Sequence, residues 1–164
     1  MVVIILILGA LTAVSPFSID MYLPAFGQMA TSLHTTVPKV SLSLSSYFVG
    51  MALGQLLYGP LLDRFGRKRP LYAGLVLYIL ATVACIFSGS VEMLIASRLL
   101  QALGGCAAGV ASTAMVRDFF PQEERAKVFS LLMLILSVSP LFAPTIGSLV
   151  STAWGWQAVF VVLG

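Results

Sequence analysis

Charged residues are rare in this sequence. It contains nine Lys or Arg and six Asp or Glu among 164 residues, whereas 59% of its residues are apolar. A soluble domain has about 45–50% apolar and about 25% charged residues, so water cannot be the main solvent of such a surface. The basic residues are grouped in short connectors and do not follow one face, which argues against a nucleic-acid groove. We therefore expect a protein that is covered by membrane lipid and that binds no nucleic acid.

Residues that hold metals or carry out catalysis are also scarce. The chain has one histidine, His34, and two cysteines, Cys85 and Cys106, which lie in separate apolar segments. It contains no His-Glu-x-x-His, no Gly-x-Ser-x-Gly and no phosphate-binding Gly-Lys-Ser/Thr motif. The sequence therefore predicts no metal site, no cofactor and no enzyme.

Long apolar runs dominate the chain. A transmembrane helix needs about 20 mostly apolar residues, and such runs must be helical because lipid offers no partner for exposed backbone groups. A sixth run begins near residue 154 and is too short to cross within the sequence. We predict an all-α, multi-pass membrane protein that forms one transmembrane bundle over residues 1–164, and we expect the chain to be a fragment of a longer protein. The five complete helices are predicted at about residues 1–29, 40–62, 70–89, 92–117 and 126–151.

The basic residues also predict an orientation. Seven of the nine lie in the connectors at 63–69 and 117–127, and the alternate connectors contain only one, Lys39. Because cytoplasmic loops carry an excess of Lys and Arg, we expect these two connectors and the N-terminus to be cytoplasmic. Trp154 then lies at the outer interface, where amphipathic rings are favoured. The expected location is the plasma membrane, which is the inner membrane of a bacterium.

Two charged residues fall inside predicted spans. Asp20 lies in the outer half of the first span, and Arg98 lies several residues into the fourth. A lipid-facing charge costs about 2.5–3.5 kcal/mol at a helix centre, so each residue needs a partner or an aqueous cavity. We hypothesise that they form a proton-coupling pair across adjacent helices. The alternative is that Asp20 caps a helix end and that Arg98 extends its head group outward to water.

Three prolines predict bends in the membrane helices. Pro24 has no N–H, so the carbonyl of Asp20 four residues earlier loses its helical donor. Pro140 and Pro144 lie four residues apart in the fifth span, which predicts a bend where a cavity is gated.

Polar and small residues in the spans suggest a pore and close packing. Gln101 lies on the same helical stripe as Arg98, where it either lines a pore or packs in the core. Tyr22 is a candidate for the substrate cavity, although such a residue is equally common against neighbouring helices. The pairs Gly50-x-x-x-Gly54 and Gly105-x-x-x-Gly109 are expected to let helix backbones approach closely.

Two connectors resemble signature loops of a known family. Residues 59–71 read Gly-Pro-Leu-Leu-Asp-Arg-Phe-Gly-Arg-Lys-Arg-Pro-Leu. This segment resembles, at every defined position, the loop between the second and third helices of the major facilitator superfamily. Residues 121–127 are similar to the family's loop between the fourth and fifth helices.

Segments within the spans extend the resemblance to nearly the whole chain. Residues 94–104 resemble the family's fourth-helix motif, with Ala102 where Gly is usual. Residues 20–25, Asp-Met-Tyr-Leu-Pro-Ala, resemble the first-helix motif of the Bcr/CflA-type drug-resistance exporters. The fifth-helix antiporter motif is matched only in part, because Ala143-Pro144 replaces Gly-Pro.

The resemblance implies a fold and a function. The chain would be the N-terminal six-helix bundle of a twelve-helix transporter, with five complete helices and the start of the sixth. Its expected function is proton-coupled antiport that exports drugs or amphipathic small molecules by alternating access. The expected partners are membrane lipid, a small-molecule substrate, protons and the C-terminal bundle of the same transporter.

The resemblance also implies roles for individual residues. Arg98 would take part in proton coupling with Asp20 as its partner. Asp63 would stabilise the outward-open state through the dipole of a helix N-terminus in the second bundle, and Arg67 would pair with Asp118. The expected conformational latch consists of Gly59, Asp63, Arg64, Gly66, Arg67 and Asp118.

Two alternatives to drug export stay open at this point. One is a metabolite or sugar permease of the same fold. The other is a membrane protein that does not transport, such as a sensor or a truncated remnant, since five helices and a stub cannot form a two-bundle cavity.

Overall fold

The computed structural model describes residues 2–164, and every regular element in that range is helical. A single 3-10 turn, Leu23–Ala25, separates the first two helices. The part of the chain that the structure describes contains no strand, which confirms the all-α expectation. The helices are α1 (Val2–Asp20), α2 (Phe26–Ser32), α3 (Val37–Phe65), α4 (Lys68–Ile86), α5 (Val91–Phe119), α6 (Gln122–Trp154) and α7 (Trp156–Leu163).

Five helical stretches are long and apolar enough to cross a membrane. One of them, Val3–Ser32, combines α1, the 3-10 turn and α2, and the other four are α3, α4, α5 and α6. Helix α5 lies at the centre, because it packs against α3, α4 and α1 and 56% of its most apolar stretch is buried. For Val3–Ser32 and α6 the corresponding share is 17%, so these two stretches lie at the periphery.

The helix boundaries follow from local chemistry. Pro38 lies in the first turn of α3, where a missing N–H costs nothing. The Ser90 hydroxyl accepts a hydrogen bond from the backbone N of Met93 at 3.2 Å and so caps α5. Gly66 and Gly155 end α3 and α6 with φ of +77° and +84°, a conformation that disfavours any side chain.

The first predicted helix is interrupted in the structure. Helix α1 ends at Asp20, and regular helix resumes at Phe26 and continues to Ser32, three residues beyond the predicted end at 29. Pro24 occupies the 3-10 turn, where its missing N–H and fixed φ prevent continuous α-helix. By contrast, α6 is one unbroken helix through Pro140 and Pro144.

Close packing of α5 depends on small residues. A Cβ on Gly50 would collide with the carbonyl oxygen of Leu99, and one on Gly54 would lie 2.7 Å from the Cβ of Cys106. These contacts agree with the role expected for the Gly50 pair. The expectation was wrong for Gly109, because nothing lies within 4 Å of a Cβ placed there.

The two basic connectors lie at the same end of the bundle. A direct contact between Arg67, just before α4, and Asp118, near the end of α5, brings them together. The connectors at 33–36 and 87–90 and the junction at Gly155 follow helices that run the other way, so they lie at the opposite end. We call the first end the basic end.

Candidate functional site

A cavity of about 510 Å³ extends along α1, α3 and α5 to the basic end. Its inner part is formed by small and neutral polar side chains, including Ser15, Gln55 and Thr113. The only charged residues that line it are Asp63, Arg67 and Arg117, which lie at the basic end. The cavity is therefore neutral inside and charged at its mouth.

Arg67 connects three helices at that mouth. Its Nε donates to Oδ2 of Asp118 at 2.8 Å, and its Nη1 donates to Oδ1 of Asp63 at 2.9 Å. The hydrogen bonds to Asp118 and Asp63 raise the pKa of Arg67 above its ordinary value, so it stays charged at every physiological pH. The structure thus brings together the pair expected from the resemblance and adds Asp63 to it.

The remaining latch candidates surround this ion-pair cluster without joining it. The Arg64 guanidinium lies 5.4 Å from the ring centroid of Phe65. Gly66 makes the turn that places Arg67, and Gly59 forms part of the cavity wall with open space around its Cα. Their place in a latch stays a prediction.

Arg125 is a contact residue that sequence reasoning missed. Its Nε donates to the carbonyl oxygen of Phe120 at 2.9 Å, and its Nη2 donates to that of Arg117 at 2.8 Å. It thereby satisfies carbonyls at the C-terminal end of α5. The sequence did contain a signal for this contact, because a basic residue a few positions after a helix end can donate to the last carbonyls of that helix.

Arg98 is completely buried at the centre of the bundle, with no exposed surface. Its Nη1 donates to Oε1 of Gln101 at 2.6 Å, and its Nη2 donates to the carbonyl oxygen of Ser18 at 3.0 Å. Gln101 in turn donates through Nε2 to the Thr82 hydroxyl at 2.7 Å. The idea that Arg98 extends outward to water is therefore wrong in this structure.

Aromatic rings surround the Arg98 guanidinium where a carboxylate would be expected. Its Cζ lies 4.3 Å from the ring centroid of Tyr22, 4.2 Å from that of Tyr47 and 5.8 Å from that of Phe160. A cation–π contact contributes about 2 kcal/mol or more when it is desolvated, so two close faces offset much of the burial cost. We call Arg98, Tyr22, Tyr47 and Gln101 the arginine cluster.

Asp20 does not pair with Arg98 in this conformation. It is the last residue of α1 and is half-buried, and the ion pairs within residues 2–164 are those of Arg67 alone. The Tyr22 and Tyr47 rings, together with the Ser18 carbonyl, already occupy the surroundings of the guanidinium. The contact that the hypothesis expected between the two charges is therefore absent here.

Two residues expected at the substrate cavity lie elsewhere. Tyr22 and Gln101 are both fully buried in the arginine cluster and do not line the cavity at the basic end. The reason is that the hydroxyl of Tyr22 bonds to Ser43 and the amide of Gln101 bonds to Arg98 and Thr82, so neither polar group is left to face a solvent-filled space.

No cluster of three or more His, Cys, Asp or Glu side chains that could hold a metal ion was found in the described range. What the chain does provide is a membrane-length helix bundle, a neutral cavity and a charged mouth at one end of it. These features define an integral membrane protein with a polar path built between its helices.

Comparison with known proteins identifies the family. The model of the Major Facilitator Superfamily matches residues 8–164, so the chain belongs to the Major Facilitator Superfamily. The all-helical bundle with five long apolar helices is accordingly the N-terminal half of that fold. The family, and the name of a relative described as an MFS-type transporter, point to a transporter rather than an enzyme.

Several relatives match nearly all of the chain. It is 40% identical over 159 residues to the uncharacterized MFS-type transporter YdgK of Bacillus subtilis, covering 96% of this chain and 40% of the relative. It is 37% identical over 161 residues to the bicyclomycin resistance protein homolog of Haemophilus influenzae, covering 98% of this chain and 40% of the relative. It is 33% identical over 160 residues to multidrug resistance protein D of Escherichia coli, covering 98% of this chain and 41% of the relative. The chain thus spans about two fifths of the length of these relatives.

Proposed function

We propose that this chain forms the N-terminal bundle of a proton-coupled antiporter that exports drugs or similar amphipathic molecules. The transporter would lie in the bacterial inner membrane with its N-terminus in the cytoplasm. The names of the bicyclomycin and multidrug resistance relatives support drug export. The distribution of basic residues supports the orientation.

The observation that carries the proposal is the cavity at the basic end. Its volume of about 510 Å³ falls within the range of about 300–1,000 Å³ that drug-sized ligands occupy. Its walls combine apolar side chains such as Met51 and Val110 with neutral hydrogen-bonding groups such as Gln55. Such a surface suits amphipathic molecules better than sugars, which need many polar partners.

Alternating access needs a second wall for this cavity. We propose that a second bundle, carried by the additional length found in the relatives, faces the cavity and completes it. Rocking of one bundle against the other would then expose the path to each side of the membrane in turn.

The Arg67 ion pairs are suited to a latch between the two states. Asp63 is 76% exposed and Asp118 is 41% exposed, so solvent screens both pairs. Pairs of this kind contribute about 0.2–1 kcal/mol each, which is small enough for the contacts to break and reform in each cycle. The latch would therefore select a conformation and would add little to the stability of the fold.

Proton coupling is assigned to Asp20 and Arg98. Asp20 is the acidic residue that lies away from the connectors, within the first span. The Arg98 guanidinium is contacted in the core by aromatic rings and neutral oxygens, so it is not committed to a carboxylate. We propose that Asp20 carries the proton and that it pairs with Arg98 only in another state of the cycle.

The experiment is drug-susceptibility profiling of cells that express the full-length gene. We expect resistance to several amphipathic drugs, loss of that resistance with a proton uncoupler, and loss in the Asp20→Asn variant at equal protein level. Proton-driven drug flux in vesicles provides the direct measurement. Unchanged flux in Asp20→Asn would exclude Asp20 as the proton carrier, and an absence of drug resistance in all conditions would favour a permease for other solutes.

A further inference from the structure

The arginine cluster assigns roles to two tyrosines beyond the proposed proton pair. The Arg98 guanidinium lies between the faces of Tyr22, at 4.3 Å, and Tyr47, at 4.2 Å. No carboxylate lies within 4.0 Å of it among the described residues. The two rings therefore hold a buried charge in place without neutralising it.

We propose that Tyr22 and Tyr47 are positioning residues that keep the Arg98 guanidinium ordered and free of a carboxylate in this state. This inference rests on the proposed function, in which Arg98 must accept Asp20 in another state. A permanent carboxylate partner would remove that option, because a buried ion pair is costly to break. Aromatic faces stabilise the cation while leaving it able to exchange partners.

The two tyrosines act through different parts of their side chains. The Tyr47 hydroxyl is buried and has no hydrogen-bond partner in the described structure, so its ring face is what serves Arg98. The Tyr22 hydroxyl bonds to the Ser43 hydroxyl, which fixes the ring over the guanidinium. Ser43 and Tyr47 lie four residues apart on α3 and hence on one helix face, so α3 controls both rings.

The position of Tyr22 connects the cluster to the interruption of the first span. Tyr22 follows Asp20 by two residues and lies between the end of α1 and the 3-10 turn at Leu23–Ala25. A shift at this non-helical break would move Tyr22 and Asp20 together relative to Arg98, which belongs to the central α5. Withdrawal of the ring and approach of the carboxylate can therefore be one motion.

The test uses the full-length protein in lipid nanodiscs and in vesicles. The first readout is the NMR signal of the Arg98 Nε–H group, which is assigned by its disappearance in Arg98→Lys. We expect the ring currents of the two tyrosines to displace this signal upfield. We expect Tyr47→Leu and Tyr22→Leu each to reduce this displacement, because each variant removes one of the two close rings. We also expect them to lower the maximal rate of proton-driven drug flux by about thirtyfold, the order expected for loss of one desolvated cation–π contact, with little change in the drug KM.

Conservative variants separate positioning from simple damage to the core. Tyr47→Phe should restore most of the flux and the displaced signal, because it keeps the ring and removes only an unpartnered hydroxyl. Ser43→Ala should reduce the displacement, because it frees the Tyr22 ring from its anchor. Tyr72→Leu, on an exposed tyrosine of α4, is the matched control and should change neither readout.

The outcomes distinguish this inference from the proposed function. An Arg98 signal displaced as far in both leucine variants as in the unaltered protein would overturn the positioning role. Equal loss of flux in Tyr47→Phe and Tyr47→Leu would also overturn it, since the hydroxyl and not the ring would then matter. If the unaltered protein shows no proton-driven flux, the proposed function fails, while a reduced displacement of the signal in the leucine variants still supports the positioning role.

Discussion

At the residue scale, Arg67 shows why the type of basic residue matters. It reaches Asp118 with Nε and Asp63 with Nη1, so one planar group contacts carboxylates on two helices. A lysine ammonium is a single point and cannot reproduce this fork. The neighbouring Lys68 and Arg69 form no ion pair within the described residues, which fits a role restricted to topology.

The latch leads to a prediction for Asp63→Asn. The change keeps the size of the side chain and removes the charge that Arg67 contacts, so we expect drug flux to fall by up to about fivefold while insertion stays normal. The measurement is flux in vesicles, corrected for protein amount. Lys68→Gln is the matched control and should transport normally. Full activity in Asp63→Asn would contradict the latch, and the connector at 63–69 would then serve only to set the topology.

A second residue-scale prediction concerns Arg125. Its guanidinium satisfies the carbonyl oxygens of Phe120 and Arg117, so Arg125→Gln should leave both without a charged donor. We expect a loss of about 1 kcal/mol in stability, because the contacts are partly exposed. Thermal unfolding of the purified protein, followed by fluorescence, measures the effect. Lys127→Gln serves as the comparison, and an equal unfolding temperature in both variants would contradict the capping role.

At the scale of elements, the contact between α3 and α5 requires the absence of a side chain. A Cβ on Gly50 would collide with the backbone carbonyl of Leu99, and backbone cannot move aside as a flexible side chain can. Overpacking of this kind costs about 1–3 kcal/mol. The same reasoning applies to Gly147 of α6, whose Cβ would collide with the backbone of Met21 at the break after α1.

This packing predicts the effect of Gly50→Ala. We expect lower expression and a lower unfolding temperature, because α3 must move away from α5 to admit the methyl group. Gly27→Ala is a suitable control, since nothing lies within 4 Å of its added Cβ and alanine favours the helix. The interpretation would be wrong if Gly50→Ala unfolded at the same temperature as Gly27→Ala.

How far the elements and the site were predictable depends on the range of the interactions. Apolar runs predicted the existence of the spans, because lipid exposure is a local demand on composition. The continuation of α2 to Ser32 was missed, since Thr31 and Ser32 are polar and exposed and so interrupt the apolar run that predicted the span. Partners of Arg98 come from α1, α3, α5 and α7 and from the break after α1. Neither Tyr47 nor Ser18 carries a local signal that it will contact an arginine. The Arg67–Asp118 contact was foreseen only through the family resemblance.

At the scale of the whole molecule, the bundle has two different kinds of surface. Large apolar side chains such as Leu56, Phe87 and Leu141 are at least 70% exposed, which is expected where lipid covers the helices. The cavity, whose walls are both apolar and neutral polar, extends to the basic end. The molecule therefore combines a lipid-facing outside with a cavity between its helices, and the side that the cavity mouth faces depends on which end faces the cytoplasm.

The orientation can be tested by labelling of single cysteines. The native thiols are first removed by Cys85→Ala and Cys106→Ala. His34→Cys then places a single thiol at the end opposite the basic end, and in a separate variant Gln122→Cys places one at the basic end. Both positions are exposed. A membrane-impermeant maleimide added to intact cells should label His34→Cys and spare Gln122→Cys, because the positive-inside rule predicts that the basic connectors lie in the cytoplasm. Inverted vesicles should give the reverse.

The same labelling decides the direction in which the cavity opens. Asp63, Arg67 and Arg117 line the cavity at the basic end, so whichever side reaches Gln122→Cys is also the side that the charged mouth of the cavity faces. Labelling of Gln122→Cys from the cytoplasm would place this mouth on the side from which the proposed exporter would take its cargo. Labelling from outside would place the Arg67 ion pairs on the outer face, where the positive-inside rule gives no reason for seven of nine basic residues to collect. Such a result would overturn both the orientation and the assignment of this cavity to the uptake of drugs from the cell.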